Sequence, residues 1–190
     1  MAGRELLPSI WVTTFVHLLP FTAMSCLLDS IGDGTSWDTL AEVVIRLLCC
    51  ALFSPAWANW RARSLTRRAR KPGIPVDGGA LHDAQTHTVT GLPSDLIRTE
   101  LGEDGRASDL KEADGGNTVR FRWRPFALFE RLSSHGSLIF DEASREARVE
   151  VRAGERLKHR VTLHQGAAFI ALCQIVECLE SADATRRVKQ

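Results

Sequence analysis

Two long apolar segments, separated by a short acidic stretch, open the chain. The first covers residues 6–28 and contains no Asp, Glu, Lys or Arg. A helix of that length is about 35 Å long, enough to span the roughly 30 Å of bilayer hydrocarbon with some tilt. The second covers residues 40–60 and carries Glu42 and Arg46, which lie four positions apart and therefore share a helix face where they can pair. The pattern predicts two transmembrane helices joined as a hairpin.

A different periodicity follows in the second half of the chain. Apolar and polar residues alternate in the segments 118–124 and 146–152, and more loosely in 157–163. Alternation of period two is typical of a sheet with one buried and one solvated face, which favours antiparallel pairing. With a short strand at 137–140, these segments predict a four-stranded meander. The polar segment 102–117 is predicted to be a loop.

Two helices are expected beside this sheet, at residues 93–101 and 165–181. The apolar part of the second is shorter than a membrane span requires, so packing on the sheet is favoured. The predicted fold class is therefore α+β. An N-terminal transmembrane helical hairpin is followed by a small antiparallel β-meander domain that a C-terminal helix closes.

The net charge of the 190-residue chain is only +1, but its charged residues are unevenly distributed and divide it into segments. We expect the hairpin at 1–60, a basic, Pro/Gly-rich linker at 61–79, a cytoplasmic α+β domain at 80–184 and a basic tail at 185–190. The linker begins with a basic run that has no acidic residue. Its cations are Arg61, Arg63, Arg67, Arg68, Arg70 and Lys71.

The position of this basic run predicts an orientation. Lys and Arg are enriched on the cytoplasmic side of membrane helices, and Trp at both membrane–water interfaces. The acidic joint carries Trp37, and the basic end carries Trp57 and Trp60, so these three are the expected interface anchors. The predicted localisation is an integral protein of the bacterial inner membrane with both termini in the cytoplasm.

No sequence motif indicates catalysis. The chain has no phosphate-binding loop, dinucleotide-binding glycine motif, zinc-protease motif or nucleophile elbow. Its histidines lack metal-ligand spacing, so no catalytic residue, metal or cofactor is predicted. We expect a non-enzymatic protein that displays an interaction or ligand-sensing domain at the inner membrane face.

Basic residues are the candidate contacts. Strand 118–124 places Arg120, Arg122 and Arg124 on one face, spaced about 7 Å apart, where they can hold phosphate groups or pair with Glu146 and Glu150. The basic run 61–71 can attract anionic lipid. The expected partners are the lipid bilayer with its anionic headgroups and a protein at the membrane, with no nucleic acid.

Three alternatives stay open at this point. The domain can be an enzyme or a small-molecule binder with a site in the sheet–helix crevice, using His159 and Glu177. The first apolar segment can be a cleaved signal, with an exported lipoprotein anchored at Cys26. Finally, both apolar segments can be core helices of a soluble protein.

Overall fold

The computed structural model describes residues 6–33, 37–125, 133–141, 143–144, 146–154 and 166–189. Helix α1 covers Leu6–Asp33 and helix α2 covers Trp37–Arg70. The sheet strands are β1 (Ala84–Thr90), β2 (Ala107–Ala113), β3 (Thr118–Trp123), β4 (Ser134–Asp141) and β5 (Glu146–Ala153). Helix α3 covers Ser94–Glu103, helix α4 covers Ala167–Lys189, and two short 3-10 segments lie at Gly78–Leu81 and Asp114–Gly116.

The protein is a mixed helix and sheet structure with a five-stranded antiparallel sheet and a C-terminal helix, as the α+β prediction requires. The strand order is β1-β5-β4-β3-β2, so strands β2 to β5 form a meander and β1 pairs with β5. Three predicted strands are confirmed as β3, β4 and β5. The strand predicted at 157–163 and residue His159 lie outside the described residues.

Both edge strands differ from the sequence prediction. The segment 102–117, predicted to be a loop, contains β2, and the prediction was wrong there. Strand β2 has no buried side chain and β1 buries only Val89. An edge strand held by backbone pairing to one neighbour needs no apolar alternation, so the hydrophobic pattern does not show it.

Helix α2 extends beyond the predicted span. It continues through the basic run to Arg70, so the first ten residues of the predicted linker 61–79 are helical. Gly73, with φ of 65°, ends it, and the N–H of Ile74 donates to the carbonyl of Ala69 at 3.1 Å. This is a Schellman cap, in which a left-handed glycine lets the N–H of the following residue satisfy a carbonyl of the last turn.

A continuous core joins the helical hairpin to the sheet domain. Leu6 and Ile10 of α1, Leu65 of α2 and the inner face of the sheet belong to one buried cluster. Helix α4 packs against the sheet and against helices α2 and α3, which explains why nearly every residue from Ala167 to Val176 is buried.

Candidate functional site

Helices α1 and α2 are each long and apolar enough to cross a membrane, judged by length and composition. Their large apolar side chains lie mostly on the outside of the helix pair. Val16, Leu28, Ile45 and Phe53 are more than half exposed, and Leu52 is 73% exposed. The prediction of two apolar helices is confirmed at this level.

Three small polar residues of the helix pair are buried. Thr14, Thr22 and Ser54 are buried, and each hydroxyl donates to the carbonyl four residues earlier at 2.7, 3.1 and 2.7 Å respectively. The buried positions of the helix pair thus include three small polar residues, whereas its large apolar side chains are mostly exposed.

The three tryptophans predicted as interface anchors lie near the two ends of α2. Trp57 is half-buried, Trp60 is 56% exposed, and their ring centroids lie 4.8 Å apart. Trp37 is the first residue of α2. The aromatic pair and the basic run thus occupy consecutive turns of one helix.

The fold divides the basic run into two faces. Arg61 is only 4% exposed and lies on the buried face with Ala62, Leu65 and Ala69. Arg63, Arg67, Arg68 and Arg70 are exposed. Lys71 Nζ forms an ion pair with Glu177 Oε1 of α4 at 2.6 Å, which joins the end of the run to the domain.

A cleft of about 600 Å³ lies along the exposed face. We call it the α2 cleft. Its polar and aromatic lining is Asn59, Trp60, Arg63, Ser64, Arg67 and Arg68. Arg63, Arg67 and Arg68 make no ion pair with any carboxylate in the described part of the chain, so the cleft carries three uncompensated guanidinium groups.

The predicted arginine stripe lies partly on the solvent face of the sheet. Arg120 and Arg122 are exposed, whereas Arg124 follows the end of β3, is half-buried and donates its N–H to the carbonyl of Arg106 at 2.9 Å. Arg122 Nη1 lies 3.5 Å from Asp109 Oδ2. Pairing with Asp109, in an irregular segment of β2, takes the place of the pairing with Glu146 or Glu150 that the strand pattern allowed.

The pairing of neighbouring strands places further basic residues beside Arg120 and Arg122. Arg120 lies opposite Lys111 of β2, and Arg122 opposite His135 of β4, which in turn lies opposite Arg152 of β5. Because directly opposite residues share a sheet face, these side chains form one surface, which we call the sheet-face cluster. Lys111, Arg120 and Arg152 have no ion pair within the described residues.

Sequence reasoning missed Lys111, His135 and Arg152 as members of this cluster. The alternation in residues 146–152 already assigned Arg152 to the solvated face. Only the pairing of β4 between β3 and β5 brings it to the side of the sheet that carries Arg120. The sequence pattern did not indicate Lys111, because apolar and polar residues do not alternate in its strand.

A polar network connects Asp104, Arg106, Trp123 and Gln174. Arg106 makes two hydrogen bonds to the Asp104 carboxylate, at 3.0 and 2.7 Å, and its guanidinium lies 4.8 Å from the Trp123 ring centroid. Gln174 Oε1 accepts from Trp123 Nε1 at 3.1 Å. These contacts connect the turn after α3, strand β3 and helix α4.

One carboxyl and two thiols in the domain have pKa values shifted from their usual ones. The hydrogen bond from Arg106 keeps the pKa of Asp104 below its usual value. Burial raises the pKa of the Cys178 thiol to about 12, and the thiol also bonds to the Asp104 carboxylate. Burial likewise raises the pKa of Cys173 to about 12. Neither thiol has the thiolate character that a nucleophile requires.

Only one of the two residues named for the enzyme alternative, Glu177, lies within the described structure. Glu177 is paired with Lys71 at the surface, and His159 lies outside the described residues. No group of three or more His, Cys, Asp or Glu side chains able to hold a metal ion occurs in the described ranges. Cys26, the residue of the lipoprotein alternative, lies within α1.

Comparison with protein-family models, curated proteins and solved structures finds no match to this chain, so no relative supplies a function for it.

Proposed function

We propose that this chain is an integral membrane protein. In this proposal α1 and α2 cross the bilayer as a hairpin, and the α+β domain is held at the cytoplasmic face as a non-enzymatic interaction module. Its recognition surface is the sheet-face cluster, and the partner carries acidic groups. The observation that carries the proposal is the outward-facing apolar surface of α1 and α2.

This surface supports a membrane hairpin over the core helices of a soluble protein. Core helices bury their apolar side chains, yet only 20% and 11% of the two apolar windows is buried. Thr22 and Ser54 are instead buried, and Thr22 contacts Cys50 of the other helix. Membrane helices associate through small and polar residues and direct their large apolar residues to lipid, and this arrangement supports a bilayer environment.

The buried hydroxyls fit the same environment. A polar group without a partner costs several kcal/mol in hydrocarbon, so polar groups there must be satisfied internally. Thr14, Thr22 and Ser54 meet this requirement through carbonyls of their own helices. Glu42 and Arg46, the charged pair in α2, lie 3.3 Å apart and compensate each other.

The orientation follows from the charge at the two ends of the hairpin. The joint 29–38 contains three aspartates and no cation, whereas the opposite end carries six cations between Arg61 and Lys71. The positive-inside rule then favours a cytoplasmic location for the basic end and for the domain that follows it.

Reporter fusions test the topology directly. An alkaline phosphatase reporter, active only outside the cytoplasm, and a fluorescent reporter, active only inside it, are fused after Ser36 and after Pro72. The proposal requires phosphatase activity after Ser36 and fluorescence after Pro72. Cytoplasmic fluorescence after Ser36 refutes the hairpin.

The recognition surface is tested by co-purification from mild detergent. The variant Arg120→Ala/Arg152→Ala removes two charges that form no ion pair among the described residues, and it should reduce recovery of a bound partner at least fivefold. Its matched control is Arg148→Ala/Glu150→Ala, which removes a pair 3.1 Å apart on the same sheet and leaves the net charge unchanged. Equal recovery with both variants refutes a role for the cluster.

A further inference from the structure

The end of α2 has two faces with different roles. Ala58, Arg61, Ala62, Leu65 and Ala69 are buried, and their spacing of three and four residues places them on one side of the helix. The residues lining the α2 cleft occupy the other side. The cleft is therefore presented outward by a helix whose opposite face is fixed in the protein core.

The position of the cleft along α2 matches the headgroup layer of a membrane. Leu52 and Phe53 are the last strongly exposed apolar residues before Trp60, which marks the hydrocarbon boundary in the proposed topology. Arg63 lies three residues beyond Trp60 and Arg67 lies seven beyond it, which is about 4.5 and 10.5 Å along the axis. The headgroup layer of one leaflet is about 5–8 Å thick, so Arg63 lies within it. Arg67 lies just beyond it, and its long side chain can extend back toward the headgroups because helix side chains tilt toward the helix N-terminus.

The chemistry of the cleft suits a phosphate group. Arg63 and Arg67 are four residues apart and therefore adjacent on the helix surface. Arginine donates paired hydrogen bonds to phosphate oxygens in a planar geometry. Asn59 and Ser64 add neutral donors to the same lining, and Trp60 supplies an apolar surface for the glycerol backbone and the first acyl carbons.

We propose that the α2 cleft binds the phosphate headgroup of an anionic phospholipid, with Arg63 and Arg67 as its principal ligands. The inference rests on the proposed membrane topology and adds a defined site to it. Because the cleft is built from particular residues, it should distinguish cations that line it from cations that do not. General attraction of the basic run to an anionic surface makes no such distinction.

Arg70 provides the matched comparison. It belongs to the same basic run, is exposed and carries the same charge as Arg67, but it does not line the cleft. Arg67→Gln and Arg70→Gln therefore lower the net charge of the run equally. Arg63→Gln is a second cleft variant at an independent exposed position, so the result does not depend on one substitution.

The experiment measures lipid retention by native mass spectrometry of the full-length protein in detergent. The probes are dioleoyl phosphatidylglycerol, dioleoyl phosphatidylcholine and soluble glycerol 1-phosphate. We expect the wild type to retain phosphatidylglycerol in preference to phosphatidylcholine. Arg67→Gln and Arg63→Gln should each lower its retention at least about fivefold, the loss of one charge-assisted contact, while Arg70→Gln should stay within about twofold.

Equal losses in Arg67→Gln and Arg70→Gln overturn the site, as does equal retention of the two lipids. Displacement of the lipid by millimolar glycerol 1-phosphate overturns the lipid assignment in favour of a soluble phosphate. A separate experiment, vesicle flotation after carbonate treatment, tests whether the chain is integrated in the membrane. A chain that does not float refutes the membrane proposal itself, whereas a floating chain with equal losses refutes only the headgroup site.

Discussion

Thr22 Oγ1 and Cys50 Sγ lie 3.1 Å apart and form a hydrogen bond between α1 and α2. Thr22 is buried in the helix interface, and its hydroxyl also contacts the carbonyl of Leu18. Hydrogen bonds of this kind between membrane helices contribute about 0.6 kcal/mol on average. The contact therefore contributes to the association of the hairpin without dominating it.

Thr22→Val should weaken the hairpin by about 0.6 kcal/mol, because it removes the interhelical bond while keeping the shape of the side chain. Thr14→Val is the control, since the Thr14 hydroxyl bonds to the carbonyl of Ile10 within its own helix. Unfolding in mixed detergent micelles, followed by circular dichroism, measures the difference. A larger loss in Thr14→Val would contradict the role assigned to the Thr22–Cys50 contact.

Gly136→Ala should destabilise the sheet by about 1–3 kcal/mol, the usual cost of overpacking a core. Gly136 of β4 lies opposite Phe121 of β3, and a methyl group at Gly136 would lie 2.3 Å from a carbon of that ring. Urea unfolding of the full-length protein measures the loss. Phe121→Leu in the same chain should restore part of it, and strict additivity of the two changes would exclude a direct clash.

Acid should destabilise the network around Asp104. Its hydrogen bond with Arg106 keeps the pKa of this carboxyl below the usual value of 3.8. The resulting stabilisation is present above that value and is lost as the pH falls through the lower, folded-state pKa. Unfolding measured between pH 2 and 5 should show this loss in the wild type and a smaller one in Asp104→Asn.

At neutral pH, Asp104→Asn should itself cost about 1 kcal/mol. Charge-assisted hydrogen bonds contribute more than this when fully buried, but Arg106 is 39% exposed and solvent weakens the pair. Asp95→Asn is a suitable control because Asp95 is exposed and lies 4.0 Å from Arg98. An equal effect of the two substitutions would argue against a special role for the Asp104–Arg106 pair.

Alkaline pH should destabilise the protein through Cys173 and Cys178. Burial raises the pKa of both thiols to about 12, whereas the usual value is 9.0. Between these values the unfolded chain loses thiol protons that the folded chain keeps, so the contribution of the two thiols to stability is constant below about pH 9 and falls above it. Substituting both cysteines with Ala should flatten this part of the pH profile.

The same burial predicts slow alkylation. Iodoacetamide reacts with the thiolate, so at pH 8 the two α4 thiols in the folded protein should react far more slowly than in urea. Peptide mapping by mass spectrometry reports each cysteine separately. Equal rates in the folded and unfolded protein would show that α4 is not packed as the structure describes.

The strands that sequence reasoning found are those that bury one face. Val119, Phe121 and Trp123 in β3 and Val149 and Val151 in β5 alternate because every second side chain enters the core. Strand β2 follows no such constraint, since it is placed by its backbone pairing to β3. The edge strands were therefore not predictable from hydrophobic pattern.

The candidate surfaces divide in a similar way. The exposed positions of Arg120 and Arg122 follow from alternation within one strand. Their neighbours Lys111 and Arg152 depend on strand register, which involves residues far apart in the chain. In the basic run the sequence shows six similar cations, and packing alone separates buried Arg61 from Arg63 and Arg67 at the cleft.

By itself the sequence determined two apolar helices, a charge difference between their ends and a sheet domain with one buried face. These features arise from local patterns, because hydrophobicity and periodicity are properties of consecutive residues. Only the tertiary structure decided that α2 continues through the basic run, that one face of that run is buried, and that cations from β2, β3 and β5 share a surface. Those outcomes depend on contacts between distant segments, which a pattern in one segment does not contain.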